Sequence, residues 1–240
     1  MSDLDSTLDE LERDPARLSA HVDELRAVLE GDDDDPKKAV LHTLRVVADT
    51  DPAVMAEYVD LLRPALTSEN RFVVRRAATP VAATAEYSPA AVADLVPELR
   101  TALETVQAPD YAGISNIVGS LSLVHRKTDT DASAADERIA ELLRQDDRAA
   151  QESVAEQIAA TIQQHPRDFP ETLDAFVDVL ASVSPRVKEP AVKTVTYLAS
   201  ADPEVVPRIE TVWDELLRAR DNGNLNAETI EKALYMTEPA

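Results

Sequence analysis

Three stretches of this chain can be laid over one another without a gap, and that internal repeat constrains the fold more than any other feature. They are DPARLSAHVDELRAVLEG at residues 14–31, DPAVMAEYVDLLRPALTS at 51–68 and SPAAVADLVPELRTALET at 88–105. Pro15, Pro52 and Pro89 fall in register, as do Leu18, Met55 and Val92, then Val22, Val59 and Val96. Leu25, Leu62 and Leu99 follow, and Leu29, Leu66 and Leu103 close the set. The interval is 37 residues, within the range of repeats built from helical pairs.

Each stretch carries its own helix-start signal. Asp14, Asp51 and Ser88 are good N-caps, and the proline after each sits where a missing N–H costs nothing. Val22, Leu25 and Leu29 recur at helical spacing and make one apolar stripe. Pro64 and Pro97 fall inside these helices and predict kinks there. A first helix precedes each of the last two stretches. One runs through Ala39, Val40, Leu44 and Val47, its start capped by Asp35 ahead of Pro36; the other runs through Phe72, Val73, Ala77 and Val81.

Residues 69–104, ENRFVVRRAATPVAATAEYSPAAVADLVPELRTALE, resemble a HEAT repeat, with VRRAA at 74–78 matching the family's first helix and LVPELRTAL at 95–103 its second. The segment VKEPAVKTVTYLA at 187–199, followed by Asp202-Pro203, is similar. The implied fold is all-α, a right-handed α-α superhelix of about six HEAT-like (armadillo-like) helical pairs. The pairs fall at 1–31, 35–68, 70–106, 110–145, 147–184 and 185–221, with a stop at Asn222-Gly223 and a C-terminal cap helix at 225–236. The whole chain, 1–240, then reads as a single repeat solenoid.

Charge says where such a chain would work. Net charge is −22, from 46 acidic and 24 basic residues, with 4% aromatic residues and only three phenylalanines. This surface resembles those of proteins from extreme halophiles, whose carboxylates keep the chain hydrated when salt screens charge repulsion. A basic partner is the other reading of such acidity, but the acid is spread along the chain rather than gathered in a tail. There are no cysteines, which excludes disulfides and thiolate metal sites. The Met-Ser-Asp-Leu-Asp opening is unlike a signal peptide, and no apolar run approaches a membrane span. The expected setting is cytoplasmic, with no membrane partner.

Catalytic chemistry finds little footing. His21, His42, His125 and His165 are widely spaced and make no His-x-x-x-His pair, so no metal site is expected. Gly113 and Gly119 lack the Lys-Ser/Thr of a phosphate loop, and residues 128–137 lack the glycine of a calcium loop. No cofactor is expected. The scarce positive residues are the informative ones. Arg26, Arg63 and Arg100 occupy one place in three successive second helices, and stacking would align them about 10 Å apart. In HEAT-like solenoids the second helices line the concave wall, so this row either meets acidic groups of a partner or pairs with nearby carboxylates such as Asp23 and Asp60. Arg71 and Arg76 are further candidate partner contacts, with Arg75 between them assigned to a structural ladder, and Trp213 is a candidate anchor if it is partly exposed. The resemblance implies a non-catalytic scaffold or adaptor for a protein partner, bound along the concave surface. The alternatives are a HEAT-like nucleic-acid-binding protein or an enzyme similar to the DNA glycosylases built from such repeats.

Overall fold

The positions that repeat in the sequence are the positions that fill the core. Leu18, Met55 and Val92 are enclosed, as are Leu25, Leu62 and Leu99, and then Leu29, Leu66 and Leu103. Val59 and Val96 are buried too, whereas Val22 is only half-buried. The computed structural model describes residues 3–107, 109–182, 184–222 and 227–237. Among these residues there is no strand. The chain divides into two compact units, Met1–Ala132 and Ser133–Ala240.

The first unit contains α1 (Asp3–Arg13), α2 (Leu18–Glu30), α3 (Asp34–Thr50), α4 (Pro52–Glu57), α5 (Arg63–Leu66), α6 (Arg71–Tyr87), α7 (Pro89–Val92), α8 (Val96–Thr105) and α9 (Tyr111–Lys127). Helices α1, α3, α6 and α9 pack side by side in one layer, and α2, α5 and α8 in a second layer against them. Within its layer α2 has a neighbour on one side only, in the segment from Val59 to α5, which is why Val22 keeps some exposure. The α3 start differs from the expected Asp35 cap. Asp33 is the N-cap, its carboxylate accepting the Asp35 N–H at 3.1 Å, and Asp34 and Asp35 lie in the first turn, where negative charge meets the positive end of the helix.

The second helices are broken rather than kinked. Residues Val59–Leu62 form a 3₁₀ stretch before α5, and Ala93–Leu95 form another before α8. Pro64 and Pro97 each sit at the second residue of the helix that restarts. A proline ring clashes with the carbonyl four residues back and cannot donate to it; for these two that carbonyl belongs to Asp60 and Ala93, inside the tightened stretches. The first repeat has Ala27 and Asp23 at the corresponding places, and its α2 is continuous from Leu18 to Glu30.

The second unit contains α10 (Asp136–Arg144), α11 (Arg148–Gln164), α12 (Pro170–Asp178), α13 (Pro185–Ala201), α14 (Ile209–Asn222) and α15 (Ala227–Thr237). Helices α11, α13 and α15 pack in series, while α10, α12 and α14 form the other layer. The predicted cap helix thus stacks as another member of the α11–α13 layer; its expected start at 225 and the stop at Gly223 lie outside the described residues. Phe169 and Phe176 are fully enclosed at the start and middle of α12.

Polar bonds tie one pair to the next at roughly the repeat interval. Asn70 caps α6 by accepting the Phe72 N–H at 2.9 Å and donates its amide to Asp34. Asn116 donates to Thr79 at 3.2 Å, Thr43 to Glu12 at 3.0 Å and Ser184 to Glu152 at 2.7 Å. Lys188 on α13 is an exception to this matching, since it is 6% exposed. Burial pushes its ammonium below the ordinary lysine value, and the charge of Glu215 only partly opposes that. The unfolded chain therefore holds the proton more tightly than the folded one, so stability rises as pH climbs from the folded value through 10.5. Lys188→Met is expected to raise the melting temperature by a few degrees at neutral pH and to abolish this alkaline gain, which paired thermal melts at neutral and alkaline pH would measure.

Candidate functional site

Of the three arginines predicted to form a row, two reach into the neighbouring repeat. Arg26 on α2 lies 3.7 Å from the Asp60 carboxylate of the next repeat. Arg63 on α5 holds Asp60 at 2.9 Å, reaches Glu98 on α8 and donates to the Asp94 carbonyl at 3.3 Å. The hydrogen bonds it donates to Asp60 first, then to Glu98, hold the Arg63 guanidinium above its ordinary pKa. Asp60 therefore links Arg26 to Arg63, and Arg63 links forward to α8. Arg100, the third member, is exposed and has no ion pair among the described residues.

The second unit repeats the device with the charges redistributed. Arg144, at the end of α10, reaches Asp174 at 2.9 Å and Asp178 at 3.1 Å on α12. Arg208 reaches the same two carboxylates at 2.9 and 2.8 Å and donates to the Asp174 carbonyl at 2.8 Å. Burial opposes the charge on Arg144, but the hydrogen bonds and charges of Asp178 and Asp174 outweigh it and raise its pKa. Arg208 adopts a φ of 48°, a left-handed backbone that costs about 1–2 kcal/mol for a residue with a Cβ. Its three bonds to α12 hold it there. A groove of about 490 Å³ lies beside this cluster, lined by Arg144, Arg148, Gln151, Asp178 and Ser182 among others.

A different face carries the other predicted arginines. Helix α6 places Phe72, Arg75, Arg76 and Thr79 along one stripe, and α3 brings His42 and Arg45 opposite. Between them is a groove of about 390 Å³. Phe72 is 51% exposed. The sequence reading put it in the apolar stripe with Val73, Ala77 and Val81; those three are buried, but Phe72 is one residue round the helix and faces out. The guanidinium carbon of Arg71 lies 5.0 Å from the Phe72 ring centroid, a cation–π contact. Arg75 lies 3.5 Å from Asp110, a buried carboxylate that caps α9 by accepting the Gly113 N–H at 3.2 Å. A Cβ at Gly113 would stand 3.2 Å from the Asp110 carboxyl and 3.3 Å from Val106, so a larger residue there would push the capping carboxylate by a few tenths of an ångström. Arg76 is exposed and has no ion pair among the described residues.

Arg45, His42 and Phe72 are not among the partner-contact candidates that the sequence offers. The signal available was the helical spacing itself: positions three and four apart share a face, so 42 with 45, and 72 with 75, 76 and 79, were readable as stripes. Which two stripes face each other depends on the packing of α3 on α6, and no local pattern gives that. Trp213 lies on α14 between buried Val212 and exposed Asp214; it is half-buried, and its indole N–H is enclosed without a hydrogen-bond acceptor among the described residues. No helix among the described residues is long and apolar enough to cross a membrane.

Helical pairs packed in two layers, with polar links recurring at the repeat interval, define a helical repeat protein of the armadillo- or HEAT-like solenoid kind. Among solved structures, that of computationally designed armadillo repeat proteins for modular peptide recognition matches with a TM-score of 0.59 at 17% identity. The match covers 90% of this chain and 98% of the designed one. No family model and no curated protein matches the sequence.

Proposed function

We propose that this chain is a non-catalytic scaffold that holds a protein partner along the wall of its second helices, the concave wall in armadillo- and HEAT-like solenoids. The observation that carries the reading is the strict register of α2, α5 and α8, which puts like positions at one interval along the first unit. An extended chain has a fixed rise per residue, so it can be read by surfaces that recur at fixed spacing. The designed armadillo proteins that share the fold were made for modular peptide recognition, which supports the same use here. In this reading Arg26 and Arg63, tied to Asp60 and Glu98, set the spacing of the wall, and the exposed Arg100 contacts the partner. The setting is the cytoplasm of a salt-adapted cell, supported by carboxylates spread over the whole chain.

Cross-linking the protein in its host at native salt, then retrieving it and analysing both proteins and nucleic acids, tests the reading. The expected result is a stoichiometric protein partner that Arg100→Glu loses without any change in melting temperature. Arg63→Ala should lower the melting temperature instead, because it cuts the link from α5 to α8. Recovery of nuclease-sensitive nucleic acid in place of a protein would overturn the scaffold reading.

A further inference from the structure

We propose that the α3–α6 groove is a second docking site, on the other helix layer, that takes a short acidic peptide segment of a partner protein with an apolar side chain seated on Phe72. The chain as a whole carries a net charge of −22, yet the lining of this groove contains Arg45, Arg75 and Arg76 and no carboxylate. Arg71 adds a fourth guanidinium over Phe72. Two carboxylates touch this set from outside the lining: Asp49 lies 3.4 Å from Arg45, and Asp110 lies 3.5 Å from Arg75. Both partners of the Arg45–Asp49 pair are more than half exposed, and an exposed pair of this kind holds a guanidinium weakly. Arg75 is more than half exposed, but its partner Asp110 is buried and is already engaged in capping α9. Arg76 has neither. The groove therefore keeps an excess of positive charge that the surrounding surface lacks, and guanidinium forks match a carboxylate with two parallel hydrogen bonds.

Two observations select a peptide over a nucleic acid. The positive stretch is short. Exposed Asp35 and Glu69 stand at the beginnings of the two helices and exposed Asp49 and Glu86 near their ends, so a long polyanion leaving the groove would run into carboxylates. Phe72 offers a half-exposed ring already stacked by Arg71, a ready seat for one apolar side chain.

The site is separate from the second-helix wall, and selection from a library of short random peptides displayed on phage distinguishes the two. The immobilised full chain is used as wild type, Arg76→Glu, Phe72→Ala and Arg100→Glu, with melting temperatures checked to show that each variant is folded. The expected result is enrichment of sequences with two or more Asp or Glu beside one apolar residue. Their binding should fall at least about tenfold, or ~1.4 kcal/mol, with Arg76→Glu and with Phe72→Ala, and stay within about twofold for Arg100→Glu. Enriched peptides lost only with Arg100→Glu would support the wall and overturn the groove. No enrichment of acidic sequences, or enrichment indifferent to Arg76 and Phe72, also overturns it. So does a single-stranded oligonucleotide that competes with the selected peptides at lower concentration than the free peptides themselves.

Discussion

Leu62→Asp is expected to abolish cooperative folding of the first unit, seen as loss of helical circular dichroism and of the thermal transition. Leu62 is completely enclosed, at the end of the 3₁₀ stretch that packs on α2, α5 and α6. Removing a buried leucine side chain costs about 2–5 kcal/mol through lost transfer energy and the cavity left behind. The aspartate adds an unpaired carboxylate in the same space, a further cost of several kcal/mol. The sum is comparable with the whole stability of an ordinary domain, about 5–15 kcal/mol. A repeat array has no separate core to absorb such a loss, because each pair buries its apolar face only against its neighbours. The matched control is Val22→Asp. It replaces an apolar residue of the same periodic stripe, but α2 is at the edge of its layer and Val22 is half-buried, so the new carboxylate can reach water and the variant should remain folded with a lowered melting temperature. An unchanged spectrum and melt for Leu62→Asp would mean that this register does not form the core.

Where the sequence was legible, the reason is that the information was local and repeated. Leu25, Leu62 and Leu99 announce themselves by spacing, and the prolines at 15, 52 and 89 mark helix starts, each at the first position of its helix. The capping chemistry behind those starts was less uniform than the pattern implied. The Asp51 carboxylate accepts the Val54 N–H at 3.2 Å, but Asp14 and Ser88 make no such bond. At those two the start rests on proline, whose fixed φ suits the first turn and whose missing N–H leaves one orphan donor fewer. The breaks in the second helices were half legible: Pro64 and Pro97 located them, but whether a proline bends a helix or restarts it depends on whether the preceding turn can tighten to 3₁₀ within its packing. The candidate sites were legible as residue types and not as surfaces. Arg26, Arg63 and Arg100 share one periodic position, yet among the described residues only Arg26 and Arg63 have a carboxylate from the next repeat within reach. The α3–α6 groove needed the packing of two helices to become visible at all.

The deepest gap of this kind is at Asp136, and it leads to the second large expected effect. Helix α12 starts at Pro170 after Phe169, which has no side-chain oxygen to offer its first N–H groups. Proline removes one of those orphan donors, and the next two are met from another helix. The Asp136 carboxylate, at the first residue of α10, accepts the Glu171 N–H at 2.9 Å and the Thr172 N–H at 2.8 Å, and the Thr172 hydroxyl donates to it as well. This is an N-cap supplied from 35 residues away, so no local pattern around 170 could reveal it. Both Asp136 and Thr172 are buried, which limits screening by salt and keeps water from the Thr172 N–H, whereas Glu171 is exposed and its N–H can turn to water. Asp136→Ala should therefore cost about 2–4 kcal/mol, being the loss of several bonds to a charged acceptor together with the Thr172 N–H left unpaired at a buried position. Asp136→Asn keeps one carbonyl oxygen and should lose roughly 1–2 kcal/mol, while Thr172→Val removes the hydroxyl bond alone and should lose about 1 kcal/mol. Urea unfolding of the three variants at one fixed salt concentration gives the ranking. If Asp136→Ala is no less stable than Thr172→Val, the carboxylate does not cap α12, and the docking of α12 on α10 must rest on apolar contacts such as Leu173 and Ile139 instead.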